Sequence, residues 1–332
     1  MKKILFFAAI AAAAMTSCSQ NDLKNQQQTK SITFDNAYIG KAAKGAPVTG
    51  ISFADGATIG VYGMNTTASI NMMENQEITR NAGVWTYSPV QFYAKDVIYS
   101  FTAYAPYNKN LSIATGTLPS YSVSTEIASQ VDLMYTQEAA TTTWDGKAES
   151  TPKEVQFVFK HALSQVKFSA KTVGDYSALY TVKVTGVTIE GVNSVGTLTL
   201  ASGAWDAWGT PAAYTQSVNN VVITNKVAQL ANADGNVLML IPQAWTADLN
   251  VKINLDVTAI VEGGGNPEKA GVKVVTATIP ASKWMRNAIY NYQMSLDLST
   301  ILDMKPIVFG DPTIENWTSE STVDINGGAE SI

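Results

Sequence analysis

The sequence predicts an all-β protein built as two sandwiches in tandem, and three observations carry that expectation. Apolar residues recur with period two: Leu249, Val251, Ile253, Leu255 and Val257 alternate with Asn250, Lys252, Asn254, Asp256 and Thr258, the pattern of a strand with one buried face. Turn signals punctuate the chain at Asp55-Gly56, Asp145-Gly146, Ser202-Gly203, Asp234-Gly235, Gly263 to Pro267 and Gly310-Asp311-Pro312, and no long helical period competes with them. The 332 residues exceed what one small core needs, which favours two domains.

From the N-terminus, Lys2 and Lys3 precede an apolar run from Ile4 to Ala14, then Met15-Thr16-Ser17 and Cys18, the only cysteine. A basic start, an apolar stretch too short to span a bilayer and small residues before a cut mark a secretory leader. A thiol at the new N-terminus is what lipoprotein processing requires, because the sulfur accepts the diacylglycerol. Residues 1–17 therefore read as a lipoprotein signal peptide and Cys18 as the lipidated first residue, anchoring the precursor to the membrane at the cell surface. With its one cysteine on lipid, the chain has no internal disulfide. Residues 18–30 are polar and Gln-rich and read as a flexible tether.

Strand signals follow from Ser31. Ile59 to Tyr62 and Val97 to Ala105 are candidates, whereas Thr115 to Thr151, rich in Ser, Thr and Ala, reads as loops with at most short helices. Val155, Phe157 and Phe159 stand on odd positions, but Val166, Phe168 and Ala170 on even ones, so a bulge or break lies between Lys160 and Gln165, and His161 lies in it. The first sandwich is assigned to residues 31–170 and the second to 171–332. In the second, Val182 and Val184 give way to Val187 and Ile189 across Gly186, a bulge signal. Val195 to Leu200, Val221 to Thr224, Val237 to Ile241 and Val272 to Ile279 read as strands; Val237 to Ile241, apolar throughout, is expected at the centre of a sheet. Tyr290, Tyr292, Met294 and Leu296 alternate with polar residues. At the end, Ile307 to Phe309, Ile314, Trp317, Val323 and Ile325 suffice for one or two terminal strands, interrupted by Pro306, Pro312 and Gly327-Gly328.

Composition offers little for catalysis. One histidine and two arginines, Arg80 and Arg286, leave most acid-base, nucleophilic and metal constellations without their parts. No catalytic residue, metal site or cofactor is assigned, and Gly263-Gly264-Gly265 sits in a polar turn rather than a phosphate loop. Removing the leader leaves 20 basic side chains against 27 acidic ones, a charge of about −7 that argues against a nucleic-acid partner. Trp205 and Trp208, in Gly203 to Gly209, either stack on a sugar ring from a loop or cap a sandwich.

Several stretches resemble the fimbrillin family, the lipoprotein precursors of type V pili. They are the leader ending at Cys18, Ser31-Ile32-Thr33-Phe34, Val97 to Pro106, Asp132 to Tyr135, Val155 to Ala170, Val187 to Trp205 and Ile241-Pro242-Gln243. The resemblance implies two transthyretin-like β-sandwich domains, an outer-membrane lipidated precursor, and partners consisting of other pilus subunits, a maturation protease and a surface receptor. It also implies assembly by strand exchange after a protease removes an N-terminal strand. Family maturation follows an arginine, yet none precedes Arg80 in this chain. Lys41 and Lys44 are the basic residues between the first strand signal and Ile59, and cutting there would release Ile32 to Ile39. The alternatives are that both lysines merely occupy an exposed loop, and that the protein is instead a glycan-binding surface lipoprotein.

Overall fold

The computed structural model describes residues 30–35, 37–39, 51–111, 116–136, 139–231 and 237–317. The first half carries β1 (Tyr38–Ile39), β2 (Ile51–Ser52), β3 (Thr58–Asn65), β4 (Ile70–Asn81) and β5 (Val84–Thr86). It continues with β6 (Ile98–Ala105), β7 (Thr117–Ser122), β8 (Met134–Thr136), β9 (Ala140–Thr143) and β10 (Val158–His161). The second half opens with β11 (Ser164–Thr172), β12 (Tyr180–Thr199), β13 (Ala204–Val222), β14 (Ala228–Gln229), β15 (Leu238–Leu240) and β16 (Ala244–Trp245). Then come β17 (Leu249–Ala259), β18 (Gly271–Ile279), β19 (Ser282–Lys283), β20 (Ala288–Leu296), a short helix α1 (Leu298–Asp303), β21 (Ile307–Val308) and β22 (Thr313–Asn316).

Nine strands form one sheet in the order β2-β1-β10-β8-β6-β3-β4-β5, with β9 beside β6. Their inward residues make an aromatic-rich core that includes Ile32, Phe34, Phe101, Phe157 and Phe159. In the second half, a five-stranded sheet (β14-β11-β20-β22, with β15 also on β11) faces a six-stranded one (β13-β12-β17-β18-β21, with β7 on β12). The two enclose a larger core holding Phe168, Val184, Leu255 and Tyr292, the arrangement of a β-sandwich. The predicted faces hold in β17: Ile253, Leu255 and Val257 are buried, Lys252 is exposed and Asn254 is half-buried.

Both parity shifts have structural causes. The odd apolar set through Phe159 faces the first core and the even set from Val166 faces the second, because the chain changes sheets at Ala162-Leu163. At Gly186 the register of β12 slips against both neighbours, β13 and β17, as a bulge requires.

Three elements depart from expectation. Within Thr115 to Thr151, β7, β8 and β9 are strands, and the only helical turn described there is Ile127–Ser129. Such Thr-rich segments are half-suited to a pleated surface, and their neighbours decide the outcome. Val237 to Ile241 is not central: β15 bonds only to β11 among the described strands. Its apolar run reflects cover on both faces, and its outward Met239 N–H donates to Gln130 Oε1 at 2.8 Å. Finally, β12 and β13 form a long hairpin of 20 and 19 residues, of which the sequence displayed only fragments.

Candidate functional site

Residues 30–35 and 37–39 lie in a groove of the first sheet. Their alternation sends Ile32 (0% exposed) and Phe34 (5%) inward and Ser31 and Thr33 outward. On one side, Ile32 N–H donates to Gln91 O at 2.9 Å and Tyr93 N–H to Lys30 O at 2.8 Å. On the other, Val155 N–H donates to Thr33 O and Asp35 N–H to Val155 O, each at 2.9 Å. Further on, β1 lies between β10, which it pairs in parallel, and β2, which it pairs antiparallel. The segment thus occupies a strand position with neighbours on both sides.

Aromatic side chains line the groove. The Phe34 ring stacks on Phe157 at 5.8 Å and meets Tyr87 and Phe101 edge-on at 5.5 and 5.8 Å. Tyr87 also donates its hydroxyl to Ile32 O at 2.9 Å, and burial raises its pKa above the ordinary tyrosine value. Removing residues 30–39 would leave the backbone groups of Val155 and one edge of β10 unpaired and would open an apolar slot beside Phe101 and Phe157. Unpaired edges and empty apolar slots are what an added strand satisfies. Sequence reasoning marked Ile32 and Phe34, but not Tyr87 or the 91–93 segment, which carry no periodic signal of their own.

The other end of the chain folds back on itself as far as Trp317. β21 runs parallel to β18, Phe309 is buried against Phe168 and Tyr292, and β22 pairs antiparallel with β20. All four residues of β22 are exposed. Trp317 donates its N–H to Asn287 O at 3.0 Å and stacks its indole on His161 at 4.2 Å with the planes 3° apart. His161, 4% exposed, donates Nδ1–H to the Asp132 carboxylate at 2.8 and 3.0 Å. His161, the last residue of β10, is thus a hydrogen-bonded structural residue; its carboxylate partner and its indole lid were not legible in the sequence.

The remaining predicted site residues are dispersed. Cys18, Lys41 and Lys44, with Val323 and Ile325 of the tail, lie outside the described residues. Trp205 and Trp208 stand on β13 rather than in a loop, opposite Leu198 and Val195 of β12. Three residues apart on a strand, they face opposite sides. Trp205 is half-buried and donates Nε1–H to Ala162 O at 2.7 Å, whereas Trp208 is 45% exposed. They do not form one platform. Among the described residues no group of three or more His, Cys, Asp or Glu side chains converges as a metal site, and no helix is long and apolar enough to cross a membrane.

Against known proteins, the chain matches the fimbrillin-like family over residues 46–317. It resembles in structure a fimbrial protein from Bacteroides vulgatus, with 18% identity, 87% of this chain and 99% of that one covered, and a TM-score of 0.61. A candidate cell adhesion protein from Bacteroides ovatus gives 14% identity, coverage of 88% and 99%, and a TM-score of 0.55. Another from Bacteroides uniformis gives 18%, 88%, 99% and 0.50. No curated protein matches. At these identities the structural likeness is one of fold, but the family match covers most of the chain: the protein belongs to the fimbrillin-like family.

Proposed function

We propose that the chain is a structural, non-catalytic pilus or adhesion subunit of the cell surface, exported as a lipoprotein through Cys18 and assembled by strand exchange. Family membership supports the coarse part of this reading. The observation that carries the finer part is the filled groove: residues 30–39 supply a strand with partners on both sides and bury Ile32 and Phe34. The stretch joining this strand to β2 contains Lys41 and Lys44. A protease cutting there would detach the strand from the chain, and a neighbouring subunit's strand would then fill the slot. The natural partners are other subunits of the same polymer, with the N-terminal lipid holding the precursor at the outer membrane until it is cut.

Limited digestion of the purified precursor with a lysine-specific protease tests this. Cutting after Lys41 or Lys44 is expected to convert monomer into SDS-resistant ladders, and the Lys41→Ala/Lys44→Ala protein is expected to stay monomeric under the same protease. A cut protein that loses residues 30–39 and persists as a stable monomer would overturn strand exchange at this end.

A further inference from the structure

Where β6 ends, the loop Pro106 to Leu111 faces Tyr121 of β7 together with Val131 and Leu133, and a cleft of about 400 Å³ lies between them. The loop is held from beneath by side chains of the first sheet. Asn75 Nδ2 donates to Asn108 O at 3.0 Å and to Leu111 O at 2.6 Å. The Tyr104 hydroxyl, wholly buried, donates to Asn75 Oδ1 at 2.7 Å and accepts the Asn108 N–H at 3.2 Å. Asn110 N–H is taken by Asn108 Oδ1 at 2.9 Å, and Tyr107 N–H reaches Thr58 O at 3.1 Å. This wall is therefore preorganised, which lowers the cost of ordering it around a ligand.

The opposite wall is also braced. The Tyr121 ring meets Trp205 edge-on at 6.0 Å, and Trp205 is itself anchored through its indole N–H to Ala162 O. The Tyr121 hydroxyl makes no hydrogen bond to the described residues. Burial and the nearby Asp132 carboxylate push it up to about 12, so it remains a donor at physiological pH. The side-chain amide of Asn110 is likewise uncommitted among the described residues. The cleft thus combines the rings of Tyr107 and Tyr121 and the apolar Leu111 and Val131 with hydroxyl and amide groups not used by the fold.

We propose that this cleft binds the ring of a neutral hexose. The carbon face of such a sugar is apolar and packs on aromatic and aliphatic walls, while its rim of hydroxyls bonds to amides and phenols. Lys109 is the one charged residue of the lining and the other lining residues are uncharged, which suits a neutral ligand. In this arrangement Trp205 is a positioning residue that fixes Tyr121, and Trp208 takes no part. The inference does not depend on strand exchange, and monomeric precursor suffices to test it.

Saturation-transfer NMR on the purified full chain with methyl β-galactoside, methyl β-glucoside and methyl α-mannoside is the direct experiment. At least one of these is expected to receive saturation on its ring protons, and its affinity is expected to fall about tenfold in Tyr107→Ala and in Asn110→Ala. Tyr121→Phe, which removes one oxygen and cannot empty the core, is expected to weaken binding several-fold, while Trp208→Ala leaves it unchanged. For the hexoside that binds, mucin-type oligosaccharides and bacterial polysaccharide fragments presented in separate arms would distinguish the two sources of such a ring. Binding to none of the three hexosides, binding confined to uronates or sialosides, or binding lost in Trp208→Ala and retained in Tyr107→Ala and Asn110→Ala would overturn the assignment.

Discussion

Tyrosines carry polar atoms deep into the larger, second core. Tyr104, Tyr214 and Tyr292 are essentially unexposed, and burial pushes each hydroxyl up to about 12 from an ordinary 10.0, although hydrogen bonds such as Trp284 Nε1–H to Tyr292 at 3.0 Å pull the other way. The folded state therefore holds these protons more tightly than the unfolded chain does. The stability they confer is fully present below pH 10 and is lost as pH rises through about 12. Urea denaturation as a function of pH is expected to show constant tyrosine contributions to about pH 10 and a steep loss above it, with tyrosinate absorbance rising in step with unfolding. Gly263 shows the same closeness of packing in the backbone. A side chain there would fall on the Ala178 carbonyl oxygen, so the glycine run that resembled a phosphate loop only superficially is a tight turn. Both readings of that residue, turn and not loop, followed from its polar surroundings; the overlap with Ala178 did not, because residues 85 apart in sequence carry no mutual signal.

At the scale of elements, the N-terminal strand is the most consequential. Phe34 fills the slot among Tyr87, Phe101 and Phe157, and truncating a buried phenylalanine removes its transfer free energy and leaves a cavity. Phe34→Ala is expected to cost about 3–5 kcal/mol in urea denaturation, with faster hydrogen exchange in β10, while Thr33→Ala, exposed, stays within about 0.5 kcal/mol. Equal effects would place the strand in another register. The alternation Ile32-Thr33-Phe34 made this strand legible. The β12–β13 hairpin was harder to read: three register shifts, after Val184, Glu190 and Asn193, reset the alternation of β12 each time, so one long strand looks like several short ones. β13 is largely exposed through its first half and contains Gly209 and Pro211, which is why Trp205 and Trp208 looked like loop residues.

At the scale of the molecule, the first sheet is tied to the second half by a small set of side-chain contacts. Arg286 Nε donates to the hydroxyl of Tyr135 on β8 at 2.7 Å, and the Trp317 indole lies on His161 of β10 at 4.2 Å. Tyr104 and Tyr135, from strands of the first sheet, belong to the second core. Arg286→Ala would leave the wholly buried Tyr135 hydroxyl without its partner, and calorimetry is expected to show a loss of about 1–3 kcal/mol, partly restored by Arg286→Lys. No change in stability would mean that the tie is dispensable and that the apolar contacts of Tyr135 alone hold the junction.

The sequence by itself determined the all-β class, the inward faces of β17 and β20, the break after His161 and the bulge at Gly186, because period-two burial is a local constraint that every exposed or buried residue reports individually. It also marked Ile32 and Phe34 as apolar residues in need of a partner. Only the tertiary structure decided what the partners were: that the odd and even sets flanking His161 face different cores, that β15 is an edge strand covered by Gln130, that Trp317 lies on His161, and that Trp205 braces Tyr121. Those outcomes depend on register and packing between segments far apart in the chain, where the energy belongs to pairs of residues and neither member of a pair encodes it alone.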